Sequence, residues 1–290
     1  MSKDAPVIDT DRKFRAKKAL GQNFLVDKAV LADIIAASEL KPSDVVVEIG
    51  PGTGVLTFEL AKYCKEVIAV EKDQKLAETL SQKSKVIINN CNSKLSIIVG
   101  DILDYPPHQL TTSNYKLVAN IPYYITSKIL RHFLEGDHKP ELIVLMTQKE
   151  VAERICAKPR STSSGQAGDM SLLSVSVQYF GKPEIVRYVA AESFRPKPEV
   201  DSAILRIASI KDKVESIQGV DAGFFFKIVR AGFAARRKTL LNNLKTCTEF
   251  SAEQILAIIK KMGLDEKVRA QELSMKQWGQ LCREIAKIKK

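Results

Sequence analysis

The tetrapeptide Asn120-Ile121-Pro122-Tyr123 has the residue types needed to hold and present an amino group. An amine attached to an aromatic base is a poor nucleophile, because its lone pair is delocalised into the ring. The Asn120 side-chain oxygen and a backbone carbonyl near Ile121 can accept its two hydrogens and aim the lone pair at an electrophile. Asn120 is neutral, so this is orientation and not strong base catalysis. Pro122 restrains the turn, and Tyr123 offers a ring on which a base can stack.

A second candidate site is the glycine-rich turn Gly50-Pro51-Gly52-Thr53-Gly54, which follows a short β-branched run. Glycines at such a turn let a ligand approach the backbone closely. A dinucleotide-binding turn has the spacing G-x-G-x-x-G, and its third glycine would fall here at Val55. The G-x-G-x-G spacing, preceded by Glu48, therefore argues against a dinucleotide and for a ligand that needs no phosphate-binding helix end.

Two acids follow the next two β-branched runs. Glu71 ends the second run, where a carboxylate can accept hydrogen bonds from both hydroxyls of a ribose. Asp101 follows the third run, where it can accept from an adenine amine. Because the carboxyl ends of parallel strands meet at one edge of a sheet, these acids and the glycine turn predict one binding site for an adenosine-like group.

The elements that position these residues alternate between strands and helices. Strands are predicted at 45–49, 67–71, 96–99, 116–119 and 142–146, and helices at 54–63, 73–81, 126–134, 148–156 and 171–180. An antiparallel pair at 185–189 and 202–207 is expected at the edge of the sheet. The fold class is therefore α/β, a mostly parallel sheet with helices on both faces.

Strand patterns stop near Ile207, and the remaining segments, 224–233, 237–244, 253–262 and 275–288, are helical in pattern. Gly263 is expected to stop the third of them. We predict a ligand-binding catalytic domain over residues 1–207, with a basic N-terminal segment to about residue 22. A small all-helical domain is predicted over residues 208–290.

The chain carries 45 Lys and Arg against 34 Asp and Glu, a net charge of +11. Much of the excess lies in two runs without acids, 12–26 and 222–248. Such runs favour contact with the backbone phosphates of a nucleic acid. The candidate contacts are Lys17, Lys18, Arg236, Arg237 and Lys238.

Several classes are disfavoured. No apolar run approaches the roughly 20 residues that cross a bilayer, and the N-terminus has no secretory apolar segment. The five cysteines are scattered without C-x-x-C spacing, which argues against a disulfide framework and a zinc site. We therefore expect a cytoplasmic protein with no membrane contact and no metal.

Taken together, the motifs resemble those of the ribosomal small-subunit RNA adenine dimethyltransferases of the KsgA type, within the class I methyltransferases. The matching segments are 20–25, 47–54, 100–101, 120–123, 148–151, 194–202 and 233–240. The G-Q-N-F-L, N-I-P-Y and F-x-P-x-P-x-V-x-S patterns are specific in combination.

The resemblance implies a Rossmann-like fold and S-adenosyl-L-methionine as cofactor, with S-adenosyl-L-homocysteine as product. The implied cofactor-binding residues are Asn23, Leu25, Gly50, Gly52, Glu71, Asp101 and Asn120, of which Asn23 and Leu25 rest on the resemblance alone. It further implies stacking roles for Tyr123 and Phe194. The alternative for Phe194, a core aromatic that anchors its Pro-rich turn, stays open.

The implied activity is N6,N6-dimethylation of two adjacent adenosines in the 3′-terminal hairpin of 16S rRNA. The implied partner is the pre-30S particle, docked by the C-terminal helices of a monomer. The family often has F-x-Q-R-R-K, and Ala235 replaces the Gln here, which puts one polar contact in doubt.

Two alternatives remain. Erythromycin-resistance methyltransferases, which modify large-subunit rRNA, share the N-I-P-Y and Q-N-F elements, although Gly21 and the basic C-terminal segments favour the small-subunit type. A non-catalytic assembly or nucleic-acid-binding factor would not need the complete cofactor pattern. DNA adenine methyltransferases fit less well, since they commonly have Asp at the position of Asn120.

Overall fold

The computed structural model describes residues 21–87, 93–159, 169–210 and 217–288. Lys17 and Lys18, predicted to contact RNA, lie outside these ranges. Its strands are β1 (Phe24–Leu25), β2 (Val45–Ile49), β3 (Glu66–Glu71), β4 (Lys94–Val99), β5 (Tyr115–Asn120), β6 (Leu142–Gln148), β7 (Lys182–Val189), β8 (Phe194–Arg195) and β9 (Ser202–Ala208). Its helices are α1 (Lys28–Ala37), α2 (Val55–Leu60), α3 (Gln74–Ile87), α4 (Pro107–Leu110), α5 (Thr126–Leu134), α6 (Lys149–Cys156), α7 (Leu172–Phe180), α8 (Ala222–Gly232), α9 (Leu240–Cys247), α10 (Ala252–Lys261) and α11 (Met275–Ile288).

Seven strands form the central sheet in the order β4-β3-β2-β5-β6-β9-β7. The first five run parallel. In β2, β5 and β6, apolar side chains are buried on both faces of the sheet. Strand β9 is antiparallel to both β6 and β7. The α/β fold class and the antiparallel pair at one edge are confirmed.

Helices cover both faces of the sheet. Helices α1 and α2 pack on one face, against Val46 and Val144. The opposite face contributes Val47 and Leu117 to a cluster that includes α5 and α7 and continues into the C-terminal helices as far as Trp278. Rings join the two parts directly, since the centroids of Tyr179 and Phe225 lie 4.8 Å apart. The helices after residue 217 thus share a core with the sheet.

The structure corrects several boundaries and adds elements that the sequence did not suggest. Helix α1, which begins where the Asp27 carboxylate accepts from Ala29 N at 2.9 Å, was not predicted. Neither was the small antiparallel sheet of β1 and β8. Helix α3 extends past residue 81, and α2 ends before residue 63. Helix α9 begins at Leu240 and not at Arg237, because the Thr239 hydroxyl accepts from Asn242 N at 3.2 Å and caps it.

Candidate active site

A cavity of about 240 Å³ opens at the carboxyl ends of β2, β3 and β5 and at the segment that follows β4. The pairing of β1 with β8 brings residues 21–25 to the same edge, where they form another wall. The cavity brings together the sequence-predicted residues Asn23, Leu25, Gly50, Gly52, Glu71, Asp101, Asn120, Pro122 and Tyr123. Residues from five separate segments therefore face one space.

The glycines of the turn serve different purposes, although Gly50, Gly52 and Gly54 all have positive φ angles of 64°, 56° and 87°. A Cβ added at Gly50 would meet no atom within 4 Å, and Gly50 lines the cavity. A Cβ at Gly54 would lie 2.4 Å from Leu80 Cδ1, inside the protein. Gly50 therefore keeps room for a ligand, whereas Gly54 allows α2 and α3 to pack.

Glu71 is buried and held in place by the backbone. Its carboxylate oxygens accept from Gly52 N at 3.0 Å and from Asp73 N at 2.8 Å. Burial raises the pKa of Glu71, and the backbone hydrogen bonds oppose that shift. Each oxygen has a further lone pair, so both ribose hydroxyls of a cofactor could donate to this side chain.

Asp101 stands across the cavity and is more exposed. Its carboxylate accepts from Lys72 Nζ at 2.7 Å and from Leu103 N at 3.1 Å. The hydrogen bond from Lys72 lowers the pKa of Asp101, so the group is ionised at neutral pH. An adenine amine would share this carboxylate with the Lys72 ammonium.

Glu48 is a cavity residue whose role the sequence did not define beyond an acid before the turn. It is 1% exposed, and its Oε2 has no hydrogen-bond partner among the described residues. Burial raises its pKa to about 8, and the nearby negative charge of Glu71 adds to the shift. Glu48 is therefore a neutral carboxylic acid at pH 7, behind the glycine turn. Its signal in the sequence is an acid inside a run of β-branched residues.

The side chain of Asn120 is oriented by the N-terminal segment. Its Nδ2 donates to the backbone carbonyl of Asn23 at 3.2 Å. The amide oxygen is then free to accept from a substrate, because the nitrogen is engaged on the other side. Asn23, suggested by the resemblance as a cofactor residue, thus also orients the candidate catalytic amide.

Tyr123 lies in a short 3-10 turn, residues Tyr123–Ile125, that follows Pro122. Its hydroxyl and that of the fully buried Ser202 are 2.6 Å apart, and burial raises its pKa. Ser202 begins β9, at the end of the F-x-P-x-P-x-V-x-S segment. The two motifs are therefore joined by a direct side-chain contact.

Phe194 does not line the cavity. It is 0% exposed and packs in the core with Leu25 and Val189, where β8 pairs with β1. In this conformation it acts as the core aromatic that supports the wall carrying Leu25. Its stacking role stays a prediction, and it requires movement of the β8 segment.

The basic cluster Arg236-Arg237-Lys238 lies in the exposed turn between α8 and α9. Arg236 is 82% exposed, with a long ion pair of 3.7 Å to Asp169. Asn243 Nδ2 donates to the carbonyls of Gly232 and Ala235 at 2.6 and 3.0 Å. The turn is thus held from within by a side chain of α9, although residue 235 is Ala.

Two features of other protein classes are missing from the described residues. No group of three or more His, Cys, Asp or Glu side chains is placed to hold a metal ion there. Within the same ranges, no helix combines the length and apolarity needed to pass through a bilayer.

The cavity fits a nucleoside carrying an amino-acid chain. Glu71 and Asp101 place carboxylates in the cavity that could accept from ribose hydroxyls and an adenine amine, and the open space at Gly50 leaves room for a chain against the backbone. This arrangement on an open, mostly parallel sheet defines a class I methyltransferase that uses S-adenosylmethionine.

Comparison with known proteins identifies the family. The family model described as ribosomal RNA adenine dimethylase matches residues 13–287, and the chain belongs to that family. Its members are rRNA adenine dimethyltransferases, so the chain is an enzyme of this type. A relative from Dehalococcoides mccartyi, called ribosomal RNA small subunit methyltransferase A, is 45% identical over 97% of each chain. A protein of the same name from Halothermothrix orenii is 38% identical, over 92% of this chain and 87% of the relative.

Two solved structures share the fold over 91% of this chain. One is a dimethyladenosine transferase from Plasmodium falciparum, with a TM-score of 0.73 and 27% identity over 98% of its length. The other is the 23S rRNA methyltransferase ErmE, with a TM-score of 0.71 and 26% identity over its full length. The chain therefore shares its fold with a dimethyladenosine transferase and with a 23S rRNA methyltransferase.

Proposed function

We propose that this protein transfers methyl groups from S-adenosylmethionine to N6 of two adjacent adenosines in the 3′-terminal hairpin of 16S rRNA. The substrate is the pre-30S particle, and the enzyme acts as a monomer in the cytoplasm. The observation that carries this proposal is the Asn120 amide, which is oriented by Asn23 and opens toward the cofactor cavity. The relatives at 45% and 38% identity, both named for the small subunit, favour that subunit.

The chemistry follows from the positions of these groups. The bound cofactor supplies an electrophilic methyl group. The Asn120 oxygen and a neighbouring backbone carbonyl accept the two amine hydrogens and direct the nitrogen lone pair into the cavity. The target base must first leave its stack, and the Tyr123 ring, fixed through Ser202, offers a surface for it. The released proton passes to solvent, because a neutral amide is not a base.

The test is transfer of labelled methyl groups to purified ribosomal subunits that lack the modification. Small subunits should accept label and large subunits should not. ErmE-type activity would give the reverse, and a non-catalytic assembly factor would label neither. Mapping the label to two adjacent adenosines of the terminal hairpin checks the finer assignment.

The variant that tests the role of Asn120 is Asn120→Ala. We expect methyl transfer to fall by at least a hundredfold, since an orienting acceptor of the transition state is lost, while cofactor binding stays measurable by calorimetry. Asn114→Ala, at an exposed amide just before the opposite end of β5, is the control and should be active. Wild-type rates in Asn120→Ala would remove Asn120 from the mechanism.

A further inference from the structure

Tyr124 is an exposed aromatic residue at the rim of the active-site cavity. It is 65% exposed, the highest value among the large hydrophobic residues that the structure describes, and it lines the cavity next to Tyr123. Exposing a ring of this size to water forgoes the burial that usually stabilises it. The position therefore suits contact with a partner.

The backbone of Gly21 supports the ring. A Cβ added at Gly21, whose φ is +62°, would lie 3.3 Å from Tyr124 Cε1 and 3.3 Å from Pro122 Cβ. A larger residue at position 21 would push against the ring. Gly21 thus lets the ring rest against the N-terminal segment while most of the residue stays open.

Two lysines share this rim. Lys72 and Lys128 both line the cavity and are exposed, and both lower the pKa of Asp101. Lys72 is also close enough to Tyr124 for an electrostatic interaction. Lys128 forms no ion pair within the described ranges. Two lysines therefore share the rim with the exposed ring, and one of them is paired with Asp101.

Exposed aromatic rings with adjacent lysines are the usual means of holding single-stranded nucleic acid, by stacking and by phosphate contact. We propose that Tyr124 stacks on the base next to the extruded adenosine, and that Lys128 and Lys72 contact the phosphates of that nucleotide. This inference rests on the proposed function and extends it to a second nucleotide position. Tyr124 follows Tyr123 in the chain and is far more exposed. In this proposal its ring therefore faces the RNA strand where that strand leaves the cavity.

The same arrangement couples the two ligands. Lys72 is paired with Asp101, the carboxylate assigned to the cofactor's adenine amine. When that amine shares the carboxylate, the Asp101 oxygens are held less strongly by the Lys72 ammonium, which can then also contact a phosphate. Cofactor binding would then strengthen RNA binding, and linkage requires the reverse effect to be equal.

The first experiment measures methyl transfer to unmodified small subunits at saturating cofactor. Tyr124→Ala should raise the half-saturating subunit concentration about tenfold, the size of one lost base stack, with an unchanged cofactor Kd. Tyr124→Phe keeps the ring and should resemble wild type. Tyr63→Ala is the matched control, because Tyr63 is 45% exposed and lies outside the cavity.

The second experiment measures subunit binding against salt concentration with cofactor bound. Lys128→Gln and Lys72→Gln should each reduce the slope of log K against log salt by about one. Lys62→Gln is the control for Lys72, since Lys62 is 54% exposed and also forms an ion pair, with Glu59 at 2.6 Å. It should leave the slope unchanged.

Two results would overturn the inference. One is an unchanged half-saturating concentration in Tyr124→Ala. The other is a rise in cofactor Kd as large as the rise for subunits, which would make Tyr124 a wall of the cofactor site. Failure of the proposed function looks different, because the wild-type enzyme itself would then transfer no label to small subunits.

Discussion

Glu48 places a carboxyl group where a negative charge is costly, between buried strands and beside Glu71. At pH 7 the group is protonated in the folded protein. A neutral acid adds no repulsion behind the cavity, beside the Glu71 carboxylate that is proposed to bind ribose. The proton on Glu48 therefore keeps a second negative charge away from the Glu71 carboxylate.

The same residue makes stability depend on pH. The pKa of Glu48 is raised from 4.5 to about 8 on folding. Between these values the folded state binds more protons than the unfolded state, so the free energy of unfolding falls as pH rises. Below pH 4.5 both states are protonated, and Glu48 contributes nothing to the pH dependence.

Glu48→Gln should remove this fall, because the amide is close in shape to the neutral acid. We expect the difference in Tm, variant minus wild type, to increase steadily from about pH 5 to about pH 8 in thermal unfolding followed by circular dichroism. Glu78→Gln, on the exposed side of α3, is the control and should give a constant difference. A constant difference for Glu48→Gln as well would contradict the assignment.

At the scale of elements, different glycines of the turn serve ligand binding and helix packing. Gly50→Ala costs about 1–2 kcal/mol of left-handed strain and puts a methyl group into the cavity, so cofactor affinity should fall at least tenfold. Gly54→Ala adds a clash with Leu80 and should cost about 3 kcal/mol or more.

Calorimetry for cofactor Kd and chemical denaturation for stability distinguish these effects. Gly263→Ala is the matched control, since Gly263 has a φ of +68°, would place an added Cβ more than 4 Å from other atoms, and lies far along the chain after α10. It should lose about as much stability as Gly50→Ala and keep full cofactor affinity. Equal losses of affinity in Gly50→Ala and Gly263→Ala would show that strain alone weakens the site.

Local patterns predicted most of the elements. The β-branched runs of β2, β3 and β4 and the glycine turn were enough to predict Gly50, Glu71 and Asp101 at one edge of the sheet, because strand ends in a parallel sheet converge. Local sequence patterns could not predict the tertiary contacts. The pairs β1–β8 and Tyr123–Ser202 join segments far apart in the chain and depend on the registers of β8 and β9. The neutral state of Glu48 depends on what surrounds it.

At the scale of the whole molecule, one basic cluster lies apart from the active-site cavity. The cluster Arg236-Arg237-Lys238 is exposed on the α8–α9 turn, outside the cavity. Neutralising all three residues to Gln should weaken small-subunit binding and reduce its salt slope by about three, with cofactor Kd unchanged. Filter binding over a range of potassium concentrations measures both quantities.

The control neutralises Lys62, Lys65 and Lys94, three exposed lysines on the catalytic part. It removes the same charge and should leave most of the slope in place. If both triple variants lose binding equally, net charge alone matters, and the α8–α9 turn has no special part in docking.

The core shared by the sheet and the C-terminal helices has a consequence for target selection. The rings of Tyr179, Phe225 and Phe226 pack against one another between the two parts. This shared core fixes the distance from the basic turn to Asn120. Under the proposed docking through that turn, the enzyme would reach only those adenosines that the pre-30S particle displays at the matching distance. The choice of target adenosine would then depend more on its position in the assembled particle than on the nucleotide sequence around it.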